Sequence, residues 1–404
     1  MGGLPLGFEW GAVRAGIKES GNLDVAVAWI EDGANAVAMW TRNQVVAAPI
    51  TTGRRHLEAS AGRVKVVLVN AGNANCATGD AGLRACEETC RAAAGAWGCE
   101  VAEVFPSSTG IIGVPLPTEK VVGAMAELKG AMGSTEADAE RFARAIMTTD
   151  TKQKVARAVI ELHGQEVRIF GVAKGAGMIH PQLVGPTEVA HATMLVYLFT
   201  DVAAGAEEMR AALGPAVERS FNSMSIDGDT STNDTVLLLA SGASGVRLDG
   251  TVREAFGNAL KLVCGSLAHQ IVEDGEGVGH VVTLEISGAR TDAEARQVAK
   301  AIAHSPLNKT AWSKADPNWG RLLAAAGYAG VRFSVDRVGI WIGEQQVFED
   351  GMRVAGFDRE AAHAVMSQRE YTIRLDLGEG AGRCTFLTCD LTEEYVRINA
   401  EYST

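Results

Sequence analysis

Residues 173–180 have the sequence Ala173-Lys-Gly-Ala-Gly-Met-Ile-His180, and residues 191–200 have the sequence His191-Ala-Thr-Met-Leu-Val-Tyr-Leu-Phe-Thr200. The first segment is rich in glycine and carries one lysine, whereas the second ends in an apolar run that predicts a buried strand. Thr193 stands where that strand begins, so a rigid scaffold would hold its hydroxyl while the chain before it stays free to move. The simpler interpretation is a core threonine, because threonine is a common strand residue.

The pair Ala192-Thr193 gives this segment a second interpretation. If the chain were cut between the two residues, Thr193 would carry both a hydroxyl nucleophile and a free α-amine that can accept the proton of that hydroxyl. An α-amino group titrates near pH ~8, so part of it is unprotonated at neutral pH. Thr193 is therefore a candidate nucleophile, and residues 1–192 and 193–404 would be the two fragments.

The composition is that of an ordinary globular protein and argues against several kinds of partner. The chain has 404 residues, 47% hydrophobic and 21% charged, which suffices for two domains or two closely packed halves. Its 49 acidic and 37 basic residues give a net charge of -12 without a basic run, so we expect no nucleic-acid partner. No apolar run reaches the roughly 20 residues that span a bilayer, so we expect no membrane partner.

The cysteines and the first residues favour the cytoplasm. Seven cysteines with irregular spacing indicate free thiols in a reducing compartment. The beginning, Met1-Gly-Gly-Leu-Pro-Leu-Gly-Phe-Glu-Trp10, has no basic region followed by an apolar stretch, so it does not predict a signal peptide. We therefore expect a cytoplasmic protein.

Three polar loops stand out, and the first two are candidate ligand-binding segments that could also be plain connectors. Asn70-Ala-Gly-Asn-Ala-Asn75 lies between a predicted strand and a predicted helix, an arrangement that exposes backbone N–H groups. In Phe105-Pro-Ser-Ser-Thr-Gly-Ile-Ile-Gly-Val-Pro115, Thr109 and Gly110 could direct an N–H and a hydroxyl at a developing negative charge. The third loop is Thr148-Thr-Asp-Thr151, in which Asx-type and Ser/Thr-type turns are expected.

Two acidic segments could bind a ligand or only form a turn. Residues 220–235 hold three aspartates among hydroxyl side chains, but the order of residues in a calcium-binding loop is missing. We therefore predict a tightly hydrogen-bonded loop and no metal. Asp274-Gly-Glu-Gly277 follows a long amphipathic helix predicted for residues 252–272, so Glu276 faces either a ligand or solvent.

Strands and helices mix along the chain without regular alternation. Residues 24–50 alternate apolar stretches with turn signals and predict a strand meander. Strands dominate after residue 331, and Gly378-Glu-Gly-Ala-Gly382 predicts a hairpin between the strands on either side of it. The fold class that we expect is α/β with layered mixed β-sheets, rather than a doubly wound parallel sheet.

Nine short motifs are spread over nearly the whole chain. They are Asn70-Ala-Gly-Asn-Ala-Asn75, Ser108-Thr-Gly-Ile-Ile-Gly113, Thr148-Thr-Asp-Thr151, Ala173-Lys-Gly-Ala-Gly-Met-Ile179, Ala192-Thr-Met-Leu195, Asp227-Gly-Asp-Thr-Ser-Thr-Asn-Asp-Thr235, Asp274-Gly-Glu-Gly277, Asp316-Pro-Asn-Trp-Gly-Arg321 and Ile398-Asn-Ala-Glu-Tyr402. In this order they resemble the ornithine acetyltransferase (glutamate N-acetyltransferase) family of arginine biosynthesis, whose members cut themselves before a threonine. The resemblance implies helices flanking stacked sheets in an α-β-β-α type sandwich, with the two fragments interleaved in one globule.

The resemblance also implies roles for individual residues. Thr193 would be the nucleophile after cleavage between Ala192 and Thr193, and Thr109 and Gly110 would form the oxyanion hole. The substrate-binding residues would be Thr151, Lys174, Thr193, Glu276, Asn399 and Thr404. A substrate carboxylate would suit Lys174, and a distal ammonium would suit an acidic residue.

The implied reaction moves an acetyl group from N2-acetylornithine to glutamate through an acetyl-threonine ester. We expect no cofactor, and the sequence leaves open whether acetyl-CoA is a further acetyl donor because it has no recognisable CoA-binding loop. The implied partners are small-molecule substrates, and the implied assembly is a heterotetramer of two alpha and two beta fragments.

One departure from the family keeps two other functions open. The segment from Pro181 to His191 is longer than in the family, and extra chain before the scissile bond could slow or abolish cleavage. The first alternative is an amidohydrolase or aminopeptidase that uses the same N-terminal threonine with water. The second is an uncleaved, non-catalytic amino-acid-binding protein.

Overall fold

The structure, a computed structural model, describes residues 3–183 and 194–401. Its strands are β1 (Glu9–Val13), β2 (Val25–Trp40), β3 (Arg63–Asn73), β4 (Val104–Ile111), β5 (Lys154–Leu162), β6 (Gln165–Lys174), β7 (Leu195–Thr200), β8 (Thr235–Ala240), β9 (Val281–Ala289), β10 (Gly339–Ile342), β11 (Gln345–Glu349), β12 (Met352–Arg353), β13 (Glu370–Asp376) and β14 (Gly382–Cys389). Its α-helices are α1 (Ala48–Ala59), α2 (Gly79–Trp97), α3 (Thr118–Gly123), α4 (Met125–Gly130), α5 (Glu136–Ala145), α6 (Ala206–Glu218), α7 (Arg253–Glu273), α8 (Asp292–Ala303), α9 (Pro306–Ser313), α10 (Trp319–Gly327), α11 (Arg359–Met366) and α12 (Glu393–Glu401).

The long strand β2 organises the first sheet, whose strand order is β4-β3-β2-β8-β7-β6-β5 with β1 also paired to β2. The first half of β2 pairs with β1 and β3, and its second half pairs with β8. The β2–β3 ladder is irregular between Trp29 and Ala34, where Gly33 has a φ of 72° that glycine adopts most easily. Such an irregularity bends a strand. The meander predicted for residues 24–50 is therefore wrong, because one bent strand occupies most of that range and α1 begins at Ala48.

The bent sheet packs against itself and is covered by helices on both outer faces. Residues of β1, β2 and β3 share one apolar cluster with residues of β6, β7 and β8. Helices α2, α3 and α4 cover the other face of β2, β3 and β4, while α6 and α7 cover the other face of β6, β7 and β8. The mixed α/β fold with α-β-β-α layering is therefore confirmed. Strands from both sides of residue 193 pair within this sheet.

The second sheet has the strand order β12-β11-β10-β13-β9-β14 and packs against α8, α9, α10 and α11. Strands β13 and β14 flank β9, the first parallel and the second antiparallel to it, so the hairpin predicted at residues 378–382 is wrong. A Cβ at Gly380 would lie 2.6 Å from the carbonyl oxygen of Ala289, and one at Gly382 would lie 2.3 Å from the carbonyl carbon of Thr291. Because these glycines have no side chain, the connection between β13 and β14 can lie directly against the backbone at the end of β9.

Four strands of the first sheet meet at one edge. Lys174 at the end of β6 is opposite Leu195 at the start of β7, and Leu195 is opposite Thr235 at the start of β8. Thr235 is in turn opposite Trp40 at the end of β2. This edge holds Lys174, near the beginning of the glycine-rich segment, and the described residues that follow residue 193.

An aromatic cluster fills the centre of the sandwich. The ring of Phe199 lies 5.2 Å from Phe8, 5.6 Å from Trp10, 6.1 Å from Phe142 and 6.2 Å from Phe170, measured between centroids. Three of these contacts are edge-to-face, the geometry that aromatic quadrupoles favour. Phe199 therefore joins strands β1, β6 and β7 to helix α5.

We predict that Phe199→Ala lowers the free energy of unfolding by about 3–5 kcal/mol, because it opens a cavity among four rings. Urea denaturation would measure this change. Leu262→Ala is the control: Leu262 is 74% exposed on α7, and its loss should change stability by less than about 0.5 kcal/mol. Equal effects of the two substitutions would contradict this description of the core.

Candidate active site

Lys174 is a buried lysine at the sheet edge. Its Nζ donates hydrogen bonds to Thr148 Oγ1 at 2.8 Å and to Thr109 Oγ1 at 3.2 Å. The Oδ2 atom of Asp150 lies 4.0 Å from the same nitrogen. Lys174 and Thr109 are therefore in direct contact. They are far apart in the chain, and the family resemblance had implied that they share one site.

The backbone at Thr109 and Gly110 is fixed by its neighbours. Gly110 has a φ of 131°, and a Cβ there would lie 2.3 Å from the carbonyl carbon of Gly72 in β3, so only glycine fits. The side-chain amide of Asn233 donates to the carbonyl oxygen of Ser108 at 2.9 Å. A backbone held in this way can offer preorganised donors to a developing negative charge.

A chain of buried, alternating charges extends from Lys174. The Nζ of Lys154 lies 2.6 Å from Asp150 Oδ1 and 2.6 Å from Asp274 Oδ2, and all four side chains are buried. Asp150 Oδ1 also accepts the backbone N–H of Gly175 at 2.7 Å. Two lysines and two aspartates thus balance one another, which buried charges require.

Burial and charge shift the pKa values of Asp150 and Lys174. Burial would raise the pKa of Asp150, but the positive charges of Lys174 and Lys154 and the Gly175 N–H hold that pKa at about 2. Burial lowers the pKa of Lys174, and the negative charge of Asp150 opposes this effect. Because the pKa of Asp150 is depressed, its contribution to stability is present above the ordinary value of 3.8 and is lost as the pH falls towards 2.

Glu276 and Asn399 form another part of the cleft. Asn399 Nδ2 donates to Glu276 Oε2 at 2.9 Å, and the Glu276 N–H donates to the carbonyl oxygen of Ala176 at 2.9 Å. A Cβ at Gly177 would lie 2.4 Å from Glu276 Oε2. The absence of a side chain at Gly177 therefore lets the Glu276 carboxylate lie against the backbone of the glycine-rich segment. The residues that line the cleft are Thr109, Gly110, Ile112, Thr148, Thr149, Lys174, Gly177, Met178, Ser231, Glu276 and Asn399.

The structure thus brings five of the predicted site residues together in one cleft: Thr109, Gly110, Lys174, Glu276 and Asn399. They come from β4, β6, the turn after α7, and α12. A cation, a carboxylate and several hydroxyls in one cleft can hold the carboxylate and the ammonium group of an amino acid.

Thr151 has a different position. It is exposed, its hydroxyl donates to Asp274 Oδ1, and its N–H donates to Asp274 Oδ2 at 3.0 Å. Thr151 therefore supports the buried charge chain.

Ala192, Thr193 and Thr404 lie outside the described residues. Met194, where the description resumes, is buried, and its carbonyl oxygen accepts the Thr235 N–H at 2.9 Å.

Sequence reasoning missed Lys154 and the roles of Asp150 and Asp274. Asp150 lies within the predicted turn of residues 148–151, and Asp274 begins the predicted turn that contains Glu276. Lys154 and Asp274 are 120 residues apart in the chain, so no local pattern pairs them.

The loop at residues 220–235 is hydrogen bonded, as predicted. Asp227 Oδ2 accepts the Met178 N–H at 2.7 Å, and Asp227 Oδ1 accepts the Ile179 N–H at 2.9 Å. This loop therefore fastens the glycine-rich segment. Within residues 3–183 and 194–401, no group of three or more histidine, cysteine or acidic side chains is arranged to hold a metal ion.

A cleft with a buried lysine, positioned hydroxyls and a carboxylate is the kind of site in which enzymes bind small polar substrates. The ArgJ family model matches residues 9–404. The chain belongs to the ArgJ family. In the part of the chain that the structure describes, no helix combines the length and the apolar character needed to cross a membrane.

Similar proteins share this family name. The arginine biosynthesis bifunctional protein ArgJ of Thermus thermophilus is 45% identical over 403 residues, which cover 99% of this chain and 99% of the relative. The protein of the same name from Methylococcus capsulatus is 42% identical over 402 residues, covering 98% of this chain and 95% of the relative. A crystal structure of the Bacillus halodurans protein of that name is 38% identical, covers 51% of this chain and 98% of that chain, and has a TM-score of 0.49.

We predict that Asp150→Asn lowers the free energy of unfolding by about 3–5 kcal/mol, because it leaves buried positive charge without its carboxylate. The control is Glu140→Gln, which breaks an exposed pair with Arg144 at 3.3 Å and should cost about 1 kcal/mol or less. Urea denaturation at neutral pH would compare the two variants. A loss for Asp150→Asn no larger than that of the control would contradict the buried charge chain.

Proposed function

We propose that the protein is a glutamate N-acetyltransferase of arginine biosynthesis, which moves the acetyl group of N2-acetylornithine to glutamate through an acetyl ester on Thr193. The observation that carries the proposal is the cleft, in which the buried Lys174 contacts two threonine hydroxyls. Lys174 also lies opposite Leu195, which follows residue 193 by two positions in the chain. The name that the relatives share, a bifunctional protein of arginine biosynthesis, supports it.

In this proposal Thr193 becomes an N-terminal nucleophile by self-cleavage. Its hydroxyl attacks the Ala192 carbonyl carbon, and hydrolysis of the resulting ester leaves an alpha fragment of residues 1–192 and a beta fragment of residues 193–404. The new α-amine then accepts the proton of the hydroxyl on the same residue. Because strands on both sides of the cut pair with one another, the two fragments stay associated.

The substrate amino acid binds between the two charged parts of the cleft. Lys174 holds its carboxylate, and Glu276, oriented by Asn399, holds its distal ammonium. Thr151 contributes through Asp274, which anchors Lys154. Thr404 is the remaining member of the proposed binding set.

Acetyl transfer then takes two steps. Thr193 Oγ attacks the acetyl carbonyl carbon, the negative charge that develops on the carbonyl oxygen is stabilised at Thr109 and Gly110, and ornithine leaves with its amine protonated. The amine of glutamate attacks the acetyl ester and takes the acetyl group, which regenerates the Thr193 hydroxyl. The ester conserves the transfer potential of the acetyl group only if water is kept out.

Acetyl-CoA is a second proposed acetyl donor, since an acetyl-threonine ester formed from a thioester would also give N-acetylglutamate. The word bifunctional in the names of the relatives favours two activities. The chemistry needs no bound cofactor. We further propose a cytoplasmic heterotetramer of two alpha and two beta fragments, whose mass native mass spectrometry would measure.

We predict that Thr193→Ala abolishes both self-cleavage and acetyl transfer, because it removes the attacking hydroxyl. A denaturing gel should show one uncut chain, and transfer should fall by about 10³-fold or more. Thr193→Ser is the control, because it keeps a hydroxyl and should still yield two fragments. A Thr193→Ala protein with unchanged turnover would contradict the nucleophile assignment.

We predict that transfer exceeds hydrolysis when glutamate is saturating. Ornithine released from N2-acetylornithine should be matched by N-acetylglutamate, with free acetate as a minor product, and chromatography of the three compounds measures the ratio. Acetate in amounts equal to ornithine would indicate an amidohydrolase. No release of ornithine at all would indicate a binding protein.

A further inference from the structure

A second cleft lies along the half of β2 that pairs with β8, and the transfer from N2-acetylornithine described above does not use it. It has a volume of about 610 Å³ and is lined by residues of β2, α1 and α6. Its charged lining residues are Arg54, Glu58 and Arg210, and the rest of its surface comes from Trp40, Leu57 and small residues. Clefts of this size bind ligands as large as a nucleotide.

Arg54 places a positive charge against a buried ring in this cleft. Its Cζ lies 5.1 Å from the centroid of the Trp40 ring, within the range of a cation–π contact. Burial lowers the pKa of Arg54, and no carboxylate opposes this effect. Among the residues that the structure describes, the Nε and Nη2 atoms of Arg54 have no hydrogen-bond partner. An anion bound in the cleft would therefore balance a charge that is already partly removed from water.

Arg210 brings a second guanidinium group to the cleft from α6. Guanidinium groups bind phosphates through paired hydrogen bonds, so two of them in one cleft favour a phosphorylated ligand. Glu58 is the one acidic side chain in the described lining, and it is exposed to solvent. The described lining is therefore positive on balance, although the whole chain has a net charge of -12.

The strand pairing sets the distance from this cleft to the candidate active site. Trp40 is opposite Thr235, Thr235 is opposite Leu195, and Leu195 is opposite Lys174. Three spacings of about 4.8 Å between neighbouring strands put Trp40 and Lys174 roughly 14 Å apart along the sheet.

The two residues also face the same side of the sheet. Phe170 and Val172 share an apolar cluster with Trp40, and Lys174 continues their alternation along β6. A ligand could therefore extend from one cleft to the other without crossing the sheet.

Helix α1 connects the same two places. The N–H of Ala47, immediately before α1, donates to the carbonyl oxygen of Thr232 at 3.3 Å. Thr232 follows Ser231, which lines the cleft of Lys174. Arg54 lies six residues beyond Ala48, the first residue of α1, which corresponds to about 9 Å along a helix.

We propose that this second cleft binds the phosphates of acetyl-CoA while its thioester reaches the cleft of Lys174. In CoA the sulfur and the first phosphorus are joined by about as many bonds as four residues of extended peptide, which span roughly 13–14 Å. This span matches the distance between Trp40 and Lys174. Arg54 and Arg210 bind the phosphates, and the apolar residues of the cleft pack against the rest of the nucleotide.

This inference rests on the proposed function, in which acetyl-CoA is the second acetyl donor, and it assigns that donor a binding site. N2-acetylornithine has no phosphate and needs only the cleft of Lys174. The two acetyl donors therefore differ in their dependence on Arg54 and Arg210.

The test compares the KM of acetyl-CoA with that of acetyl-pantetheine, which has the same thioester and arm but no phosphate. Arg54→Met keeps the length of the side chain without its charge, and it should raise the KM of acetyl-CoA at least about 10-fold. The KM of acetyl-pantetheine and the transfer from N2-acetylornithine should not change. Arg210→Met should act in the same direction, and because Arg210 is exposed, its substitution leaves the core intact.

The matched control is Arg55→Met, which removes the same charge from the next position of α1. Arg55 is exposed and pairs with Glu87 at 2.7 Å, so this variant should keep the wild-type KM of acetyl-CoA. An unchanged KM of acetyl-CoA in both Arg54→Met and Arg210→Met, or an equal rise for acetyl-pantetheine, would overturn the inference.

The wild-type protein separates this inference from the function on which it rests. Formation of N-acetylglutamate from N2-acetylornithine but not from acetyl-CoA would overturn the inference and leave the transfer between amino acids in place. Transfer from neither donor would remove the proposed function together with the inference.

Discussion

The positive charge of Lys174 inside the protein is the constraint on which the site depends. A buried ammonium group is stable only with an opposite charge and hydrogen-bond acceptors close to it. Asp150 supplies the charge, Thr148 and Thr109 supply acceptors, and Lys154 and Asp274 extend the balance towards the surface. The turn at 148–151 contacts Lys174, and the end of α7 is joined to that turn through Lys154 and Asp274.

The bent first sheet determines which strand ends lie around Lys174. Because β6 and β7 are antiparallel neighbours, the end of one and the beginning of the other lie at the same edge. Leu195 at the start of β7 therefore lies opposite Lys174, and Thr235 at the start of β8 lies opposite Leu195. Strands β6 and β7, which lie on the two sides of residue 193 in the chain, pair with one another.

The sequence alone predicted some of the strands and site residues, but it did not predict the bend in β2 or the connection at residues 378–382. The apolar run at β7 predicts a buried strand, whereas Thr109, Gly110, Lys174, Glu276 and Asn399 were implied only by the resemblance to the ornithine acetyltransferase family. The bend in β2 could not be predicted. The residues around Gly33 are typical of a turn, but the strand continues through them with an irregular ladder. The glycines at 378–382 allow close backbone approach as well as tight turns, and sequence does not distinguish the two uses.

The buried acids were the least predictable part of the site. Asp150 and Asp274 are paired with lysines that tertiary structure provides, and Asp234 is fully buried. In the sequence all three lie in polar loops that are typical of solvated turns. The pairing of Asp274 with Lys154, for example, joins residues that are 120 positions apart in the chain.

The central claim is that Thr193 is an N-terminal nucleophile that carries the acetyl group. The most direct measurement is the intact mass and the N-terminal sequence of the protein after brief exposure to N2-acetylornithine without glutamate. The account predicts a fragment that begins at Thr193 and is one acetyl group heavier on that residue, with the acetyl group lost when glutamate is added. An active protein that shows one uncut chain, or an acetyl group on another residue, would contradict it.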